Sequence, residues 1–355
     1  AADDEDRAVA ALERMGAHLN RGAGGRVVVG VFLIPRSPGG GLKELRALSG
    51  LRQLDYSGLQ VNDAAVKDIA GLTNLERLSL SNSRVTDAGL RELAKLTKLV
   101  ELGLGNTSVT DAGLKELAKL DRLETLSLSQ TRVTGDGLKH LAGLKNLKSL
   151  GVFGTRVGDD GLAHLAGWTE LRSLYLQRTP ITDAGLKHLA GSLKLEALYL
   201  GETRVTDAGL KDLEPLPSLR SLDLTGTRVT EKGLRQLKAF PSLENLTLAE
   251  MPIKEGSLKA AGEVKGLKLL NLDRSQVTDA ALKTLADAPD LENLSVSYTR
   301  VTDEGLKHLA ALPKLTEVSV YGTKVTPAGV KKLQAAKPGL RVRGPDVKPN
   351  PKGGQ

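Results

Sequence analysis

The chain has 355 residues, a formal net charge of +8, no cysteine, and aromatic residues at only 3%. The lack of thiols excludes disulfide caps, thiolate metal sites and a cysteine nucleophile, and leaves the redox compartment undecided. The longest apolar run, Val27 to Ile34, is far below the roughly 20 residues that a membrane-spanning helix needs, and the positive charge permits an anionic partner without requiring one.

In chain order, residues 3–20 predict a helical cap. Ala8, Leu12, Met15 and Leu19 are spaced for one helical face, and Asp3, Asp4 and Glu5 sit where the macrodipole favours negative charge. The chain opens at Ala1 rather than Met, which we read as the mark of a removed leader or a trimmed chain. After a loop at Arg21–Gly25, Val27 to Leu33 predicts an edge strand in register with Leu51. Pro35–Gly41 replaces the usual turn, and Leu42, Leu45 and Leu48 finish an atypical first unit.

From there one 24-residue phrase recurs without insertion, led by Leu51, Leu75, Leu99, Leu123, Leu147, Leu171, Leu195, Leu219, Leu243, Leu267, Leu291 and Leu315. Its template is L-x-x-L-x-L-x-x-T-x-V-T-D-A-G-L-K-x-L-A-x-L-x-x. Self-similarity at this period predicts a solenoid. In the unit Leu75–Lys98, Leu78 and Leu80 alternate with polar neighbours as in a half-buried strand that pairs in parallel with the next unit's. Val85 points inward, Thr86 reads as an N-cap, Asp87 enters the first helical turn, and Leu90, Leu93 and Leu96 share one helix face. The ninth position is mostly Thr or Ser, a hydroxyl suited to backbone groups of the turn. Gly89 and its equivalents read as room for the adjacent unit. Burying seven apolar side chains cannot offset the ordering of 24 backbones, so no unit stands alone and both ends need caps. The domain reading is a helical cap at 1–26, about thirteen units over 27–343, and a disordered basic Pro/Gly tail at 344–355.

The repeated phrase resembles the leucine-rich-repeat family over about residues 27–342. The phrase A-L-E-R-M-G-A-H-L at 11–19, followed by V-T-D-A-G-L-K-H-L repeats, is similar to exported bacterial leucine-rich-repeat proteins. The V-T-D-x-G-L phrase also resembles the ribonuclease-inhibitor-like repeats of F-box-type ubiquitin-ligase adaptors. The resemblance implies an α/β class, a right-handed, curved solenoid with a parallel sheet on its concave face and short helices outside. It also implies a location outside the cytoplasm after leader removal, with a cytoplasmic one left open.

Function must lie where the units differ. The third, fifth, seventh and eighth positions face the inner surface and are mostly small, as at Ser79, Ser81, Gly103, Gly105, Ser127, Ser129 and Gly151. Against them Phe153, Tyr175 and Tyr199 fall on consecutive strands beside Gln177, Arg178 and Glu202, while Tyr298 and Tyr321 form a second group near Asp273 and Arg274. Aromatic anchors with flanking charge predict a protein-binding patch, although Tyr also suits strands with no ligand at all. The same rings could stack on a carbohydrate or envelope polymer. The V-T-D-x-G-L resemblance adds the substrate-recognition part of a ubiquitin-ligase-type adaptor.

Other rows carry less. Arg84, Arg132, Arg156, Arg204, Arg228, Arg300 and Lys324 form a basic stripe, with an acid three residues on in most units (Asp87, Asp159, Asp207, Glu231, Asp303), which predicts local neutralisation. His140, His164 and His188 repeat on the outer helical row, too far apart for zinc, and Trp168 sits in a leucine column of the core. We find no nucleophile elbow, phosphate loop or convergent carboxylate pair. The sequence therefore predicts a monomeric, non-enzymatic scaffold with no cofactor, no metal and no nucleic-acid partner.

Overall fold

The computed structural model describes residues 2–22, 28–34, 40, 42–214 and 216–344. Most of the expected Arg21–Gly25 loop, most of the Pro35–Gly41 turn and the tail beyond Gly344 lie outside them. The chain divides into two compact units, Ala1–Pro180 and Ile181–Gln355.

The first unit begins with helix α1 (Ala2–Arg14), strand β1 (His18–Arg21) and strand β2 (Val28–Leu33). The cap differs from the sequence expectation. Gly16 takes a left-handed φ of +87° and ends the helix, so Leu19 lies on β1 and not on a helical face, and Met15 is exposed. Strand β1 pairs antiparallel with β2, so Val28–Leu33 is not an edge strand; it is covered on one side and pairs in parallel with the first regular repeat on the other.

Six parallel strands follow in sequence order: β3 (Gln53–Tyr56), β4 (Arg77–Ser79), β5 (Glu101–Gly103), β6 (Thr125–Ser127), β7 (Ser149–Gly151) and β8 (Ser173–Tyr175). Their register steps by 24 residues, so Leu54, Leu78, Leu102, Leu126, Leu150 and Leu174 lie side by side. The second unit repeats the plan in β9 (Ala197–Tyr199), β10 (Ser221–Asp223), β11 (Asn245–Thr247), β12 (Leu269–Asn271), β13 (Asn293–Ser295), β14 (Glu317–Ser319) and β15 (Arg341–Arg343), each parallel to its neighbour. A short helix follows nearly every strand, and the pattern in each unit is an α/β solenoid.

The core is made of aliphatic columns. In one repeat Leu75, Leu78, Leu80, Val85, Leu90, Leu93 and Leu96 are all exposed by no more than 2%, which is what stacked, interchangeable layers require. Trp168 fills a leucine column and is buried, as its spacing predicts. Tyr56 replaces a leucine in β3, and its hydroxyl donates to the Gly40 carbonyl at 2.7 Å, tying the segment before the repeats to the first strand.

What joins one repeat to the next is a carboxylate. Asp63, which opens helix α2 (Asp63–Ile69), accepts from the backbone N–H of Thr86 at 2.8 Å and from its hydroxyl at 2.7 Å, one repeat along. Asp87 does the same for Thr110 and Asp111 for Thr134. In the second unit Asp183, Asp207, Asp279 and Asp303 clamp Thr206, Thr230, Thr302 and Thr326. Each such Thr also caps its own helix in most repeats, as Thr86 does by accepting from Ala88 N–H at 3.2 Å. The Asp row, expected from sequence to serve its own helix dipole, thus bridges repeats as well. Donation from the Thr326 N–H and hydroxyl holds the Asp303 carboxyl below the usual carboxylate range.

The glycine two residues after most of these Asp residues completes the device. A Cβ on Gly89 would stand 2.7 Å from Asp63 Oδ1 and 3.0 Å from Val85 Cγ1. The close approach that the glycine column predicts is therefore made to the previous repeat's carboxylate. The ninth-position hydroxyls have a more local role than the turn between units: Thr107 donates to the Leu104 carbonyl of its own repeat at 2.7 Å, and Thr131, Thr203 and Thr227 do likewise with Leu128, Leu200 and Leu224.

Two outcomes follow. Asp63→Ala should cost about 1–2 kcal/mol, and Gly89→Ala about 1–3 kcal/mol despite alanine's better helix propensity. The double variant should lose less than the sum by about 1 kcal/mol, because the carboxylate that the new methyl meets is gone; urea unfolding of the four proteins measures it. Burial, then the nearby Asp68 charge, pushes the Tyr56 phenol up to about 12. Its neutral form is the one the fold favours, so this stability is full below pH 10 and is lost as pH rises through 12. Tyr56→Phe should be less stable by about 1 kcal/mol at pH 8, and the gap should narrow by pH 11 in the same unfolding assay.

Candidate interaction faces

The side chains that leave the core on the sheet side come from the third, fifth, seventh and eighth positions of each repeat. The eighth position has an unusual backbone. Asn82, Asn106, Gln130 and Arg178 in the first unit, and Glu202, Glu250, Arg274 and Tyr298 in the second, all take φ between +53° and +60°. Gly154, Gly226 and Gly322 occupy the same position with φ of +60° to +65°. The hydrogen-bond ladder imposes this turn: after Leu80 N–H donates to Gly103 O, Asn82 N–H donates to Gly105 O, both at 2.8 Å. Left-handed backbone costs a non-glycine residue about 1–2 kcal/mol, so the long side chains found there stand on a constrained base.

In the first unit the sheet face is a floor of small residues. Ser79, Ser81, Gly103, Ser127 and Ser129 pack so closely that a Cβ on Gly103 would come within 3.3 Å of Ser81 Oγ. A shallow recess of about 230 Å³ runs over it, with Phe32, Asp55, Arg77 and Glu101 on its margin. Beside it Asn106 donates through Nδ2 to Asn82 Oδ1 at 3.0 Å, which links two of the amides. Farther along, the Arg178 guanidinium lies 5.6 Å from the centre of the Phe153 ring, a cation–π contact. Tyr175 is half-buried, and the side-chain carbonyl of Gln177 is buried with no hydrogen-bond partner among the described residues. Such an orphan acceptor is costly unless a donor arrives.

In the second unit Tyr199 is half-buried and Glu202 is exposed. The sequence triplet Phe153–Tyr175–Tyr199 is thus divided between the two units, with Phe153, Tyr175, Gln177 and Arg178 on the first and Tyr199 and Glu202 on the second. The Tyr298–Tyr321 group lies wholly within the second unit and is the more open: Tyr298 is 59% and Tyr321 41% exposed. Tyr298 is also held in place. Its ring lies over Gly322, where a Cβ would meet Cδ1 at 2.5 Å, and Arg274 stands 5.4 Å from the ring centre. Arg274 in turn reaches Glu250 at 4.0 Å. Behind it Asp273 accepts from Ser295 Oγ at 2.5 Å and Ser297 N–H at 2.8 Å, which fixes the adjoining turn. The recurrence of Asn and Gly at the eighth position was the sequence signal for the left-handed turn, one that spacing arguments about strands pass over.

The two rims of the sheet differ in charge. On the rim where strands begin, cations and acids pair across repeats: Arg52–Glu76, Arg77–Glu101 and Lys148–Glu124 in the first unit, Arg220–Glu244 and Lys268–Glu244 in the second. On the opposite rim the tenth-position cations are exposed and have no ion-pair partner among the described residues. Sequence spacing predicted that the acid three residues on would neutralise them. The structure corrects this: Asp87, Asp207 and Asp303 turn to the Thr of the next repeat instead. The outer-row His140, His164, His188 and His308 do not converge, and among the described residues no group of three or more His, Asp or Glu side chains is placed to hold a metal ion. No helix there is long and apolar enough to cross a membrane.

Comparison with known proteins agrees with this geometry. Among solved structures, an internalin (inlF) from Listeria monocytogenes is 19% identical with a TM-score of 0.58, covering 97% of this chain and 94% of its own. A leucine-rich-repeat protein of Leptospira interrogans is 16% identical with a TM-score of 0.49, covering 84% of this chain and 86% of its own. A second Listeria monocytogenes protein, internalin C2, is 25% identical with a TM-score of 0.45 over 57% of this chain and 81% of its own. No curated protein matches in sequence. The model of the leucine-rich repeat region matches residues 42–335, and with the aliphatic columns, short parallel strands and 24-residue register it shows that this chain belongs to the leucine-rich-repeat family.

Proposed function

We propose that this chain is a non-enzymatic binding scaffold whose sheet face engages a protein partner. The observation that carries the reading is the placement of Tyr298 and Tyr321. Two large rings are left open to solvent, 59% and 41% exposed, in a chain whose other repeats, the one with Phe153 apart, put small or polar residues at these positions. Tyr298 is anchored by Arg274 and Gly322 on a left-handed turn, so its ring is pre-ordered and binding it costs little side-chain entropy. In the first unit Phe153, Tyr175, Gln177 and Arg178 form a further contact area, with the Gln177 carbonyl ready to accept a partner's donor. Tyr199 and Glu202 offer an aromatic and a charge on the second unit. Export of the protein, implied by the resemblance of its N-terminal phrase, would bring these faces to partners outside the cytoplasm.

Carbohydrate binding is a second reading, favoured by the Ser and Gly floor with its amide pair Asn82–Asn106 in the first unit. Hydroxyls and amides suit sugar hydroxyls, but the floor itself carries no ring on which a sugar would stack.

A photo-crosslinking residue at Ser319, on the sheet face, should yield protein adducts from the native cells' extract, and one at Arg235, on a helix, should not. Tyr298→Ser/Tyr321→Ser should remove at least about 1 kcal/mol of binding, a several-fold loss of adducts, while leaving the melting temperature nearly unchanged. Adducts that come equally from both positions, or that survive the double change, would reject the site. Binding on a glycan array that is lost with Asn82→Ala/Asn106→Ala would favour carbohydrate.

A further inference from the structure

The unpaired rim of the second unit adds chemistry to the proposed face. Arg204 and Arg228 stand on adjacent repeats, and so do Arg300 and Lys324; all four side chains are exposed and without an ion-pair partner among the described residues. Their spacing is set by the backbone. Arg228 N–H donates to Val205 O at 2.9 Å and Lys324 N–H to Val301 O at 3.1 Å, so successive cations rise from one ladder about 4.8 Å apart. The nearest regular acids, Asp207 and Asp303, are held by Thr230 and Thr326 and do not reach back to the rim. Tyr298 is two residues before Arg300, and Tyr321 three before Lys324. A pair of cations and a pair of open rings thus end the same two turns.

We infer that this rim recognises an acidic polypeptide segment, whose carboxylates meet the Arg300–Lys324 pair while its apolar or aromatic side chains rest on Tyr298 and Tyr321. The inference rests on the sheet-face reading and names the chemistry of its partner. Guanidinium and ammonium groups in twos suit clustered carboxylates, the guanidinium in bidentate fashion. A nucleic-acid strand fits less well. The column is broken between the two pairs by Pro252 and Gln276, which leaves room for a short acidic segment, whereas a phosphate backbone needs a long unbroken positive track.

Fluorescence anisotropy of the full chain with fluorescein-labelled decaglutamate tests this. Binding should weaken with salt and fall at least about tenfold in Arg300→Gln/Lys324→Gln. A variant with the same charge change on the helix side, Lys307→Gln/Lys314→Gln, replaces cations already paired with Glu304 and Asp290 and should bind decaglutamate as the parent does. Equal loss in both variants would reduce the effect to net charge and overturn the inference. So would the absence of binding, or tighter binding of a thymidylate dodecamer than of decaglutamate. Adducts from Ser319 that depend on Tyr298 and Tyr321 but persist in Arg300→Gln/Lys324→Gln would leave the sheet-face reading standing and remove this one alone.

Discussion

The structure depends on one carboxylate used twice over. An Asp at the start of each regular helix lies in its own first turn, where the dipole favours it, and reaches across to the N–H and hydroxyl of the Thr one repeat on. That Thr caps its own helix, and the glycine that follows leaves a space that the previous Asp fills. The phrase T-D-A-G is therefore a linking device, with receptor, arm and clearance in four consecutive residues. Insertion of one residue would move all three out of phase, which accounts for a period kept at 24 residues from Leu51 onward.

This use of the Asp row governs the surface. A carboxylate committed to the next repeat makes no ion pair with the cation three residues before it, so the tenth-position cations stay unpaired among the described residues. On the other rim, Glu and Arg or Lys at neighbouring repeats meet across the ladder and cancel. Exposed pairs of that kind add little stability, but they decide where the net charge of +8 is displayed. The same economy appears on the sheet face, where the ladder forces each eighth residue into left-handed backbone and so presents Arg178, Arg274 and Tyr298 from fixed bases.

Where regularity fails, the reasons are local. Gly16 stops the first helix earlier than its apolar spacing suggests and frees His18–Arg21 to cover the strand that would otherwise be an open edge. Leu19 matched a helical face in spacing, but alternation over so few residues cannot separate the end of a helix from the start of a strand. The buried Tyr56 replaces an aliphatic residue at the first regular strand, and its hydroxyl donates to the Gly40 carbonyl of the atypical repeat before it.

The period, the seven core positions, the parallel strands, the helix starts at Thr and the need for close approach at Gly are all legible in the sequence, because each of these is a statement about spacing along one chain. The sequence also singled out the residues that break the pattern, Phe153, Tyr175 and Tyr199 with their neighbours, and Tyr298 with Tyr321. Which partner each polar group takes depends on how the repeats stack. Asp87 could pair with Arg84 three residues away or with Thr110 a full repeat away, and the stacked geometry brings the Thr N–H and hydroxyl together at 2.8 and 2.6 Å. Two donors held in place by the backbone ladder outcompete one mobile guanidinium in water, and no spacing rule within a single repeat contains that comparison.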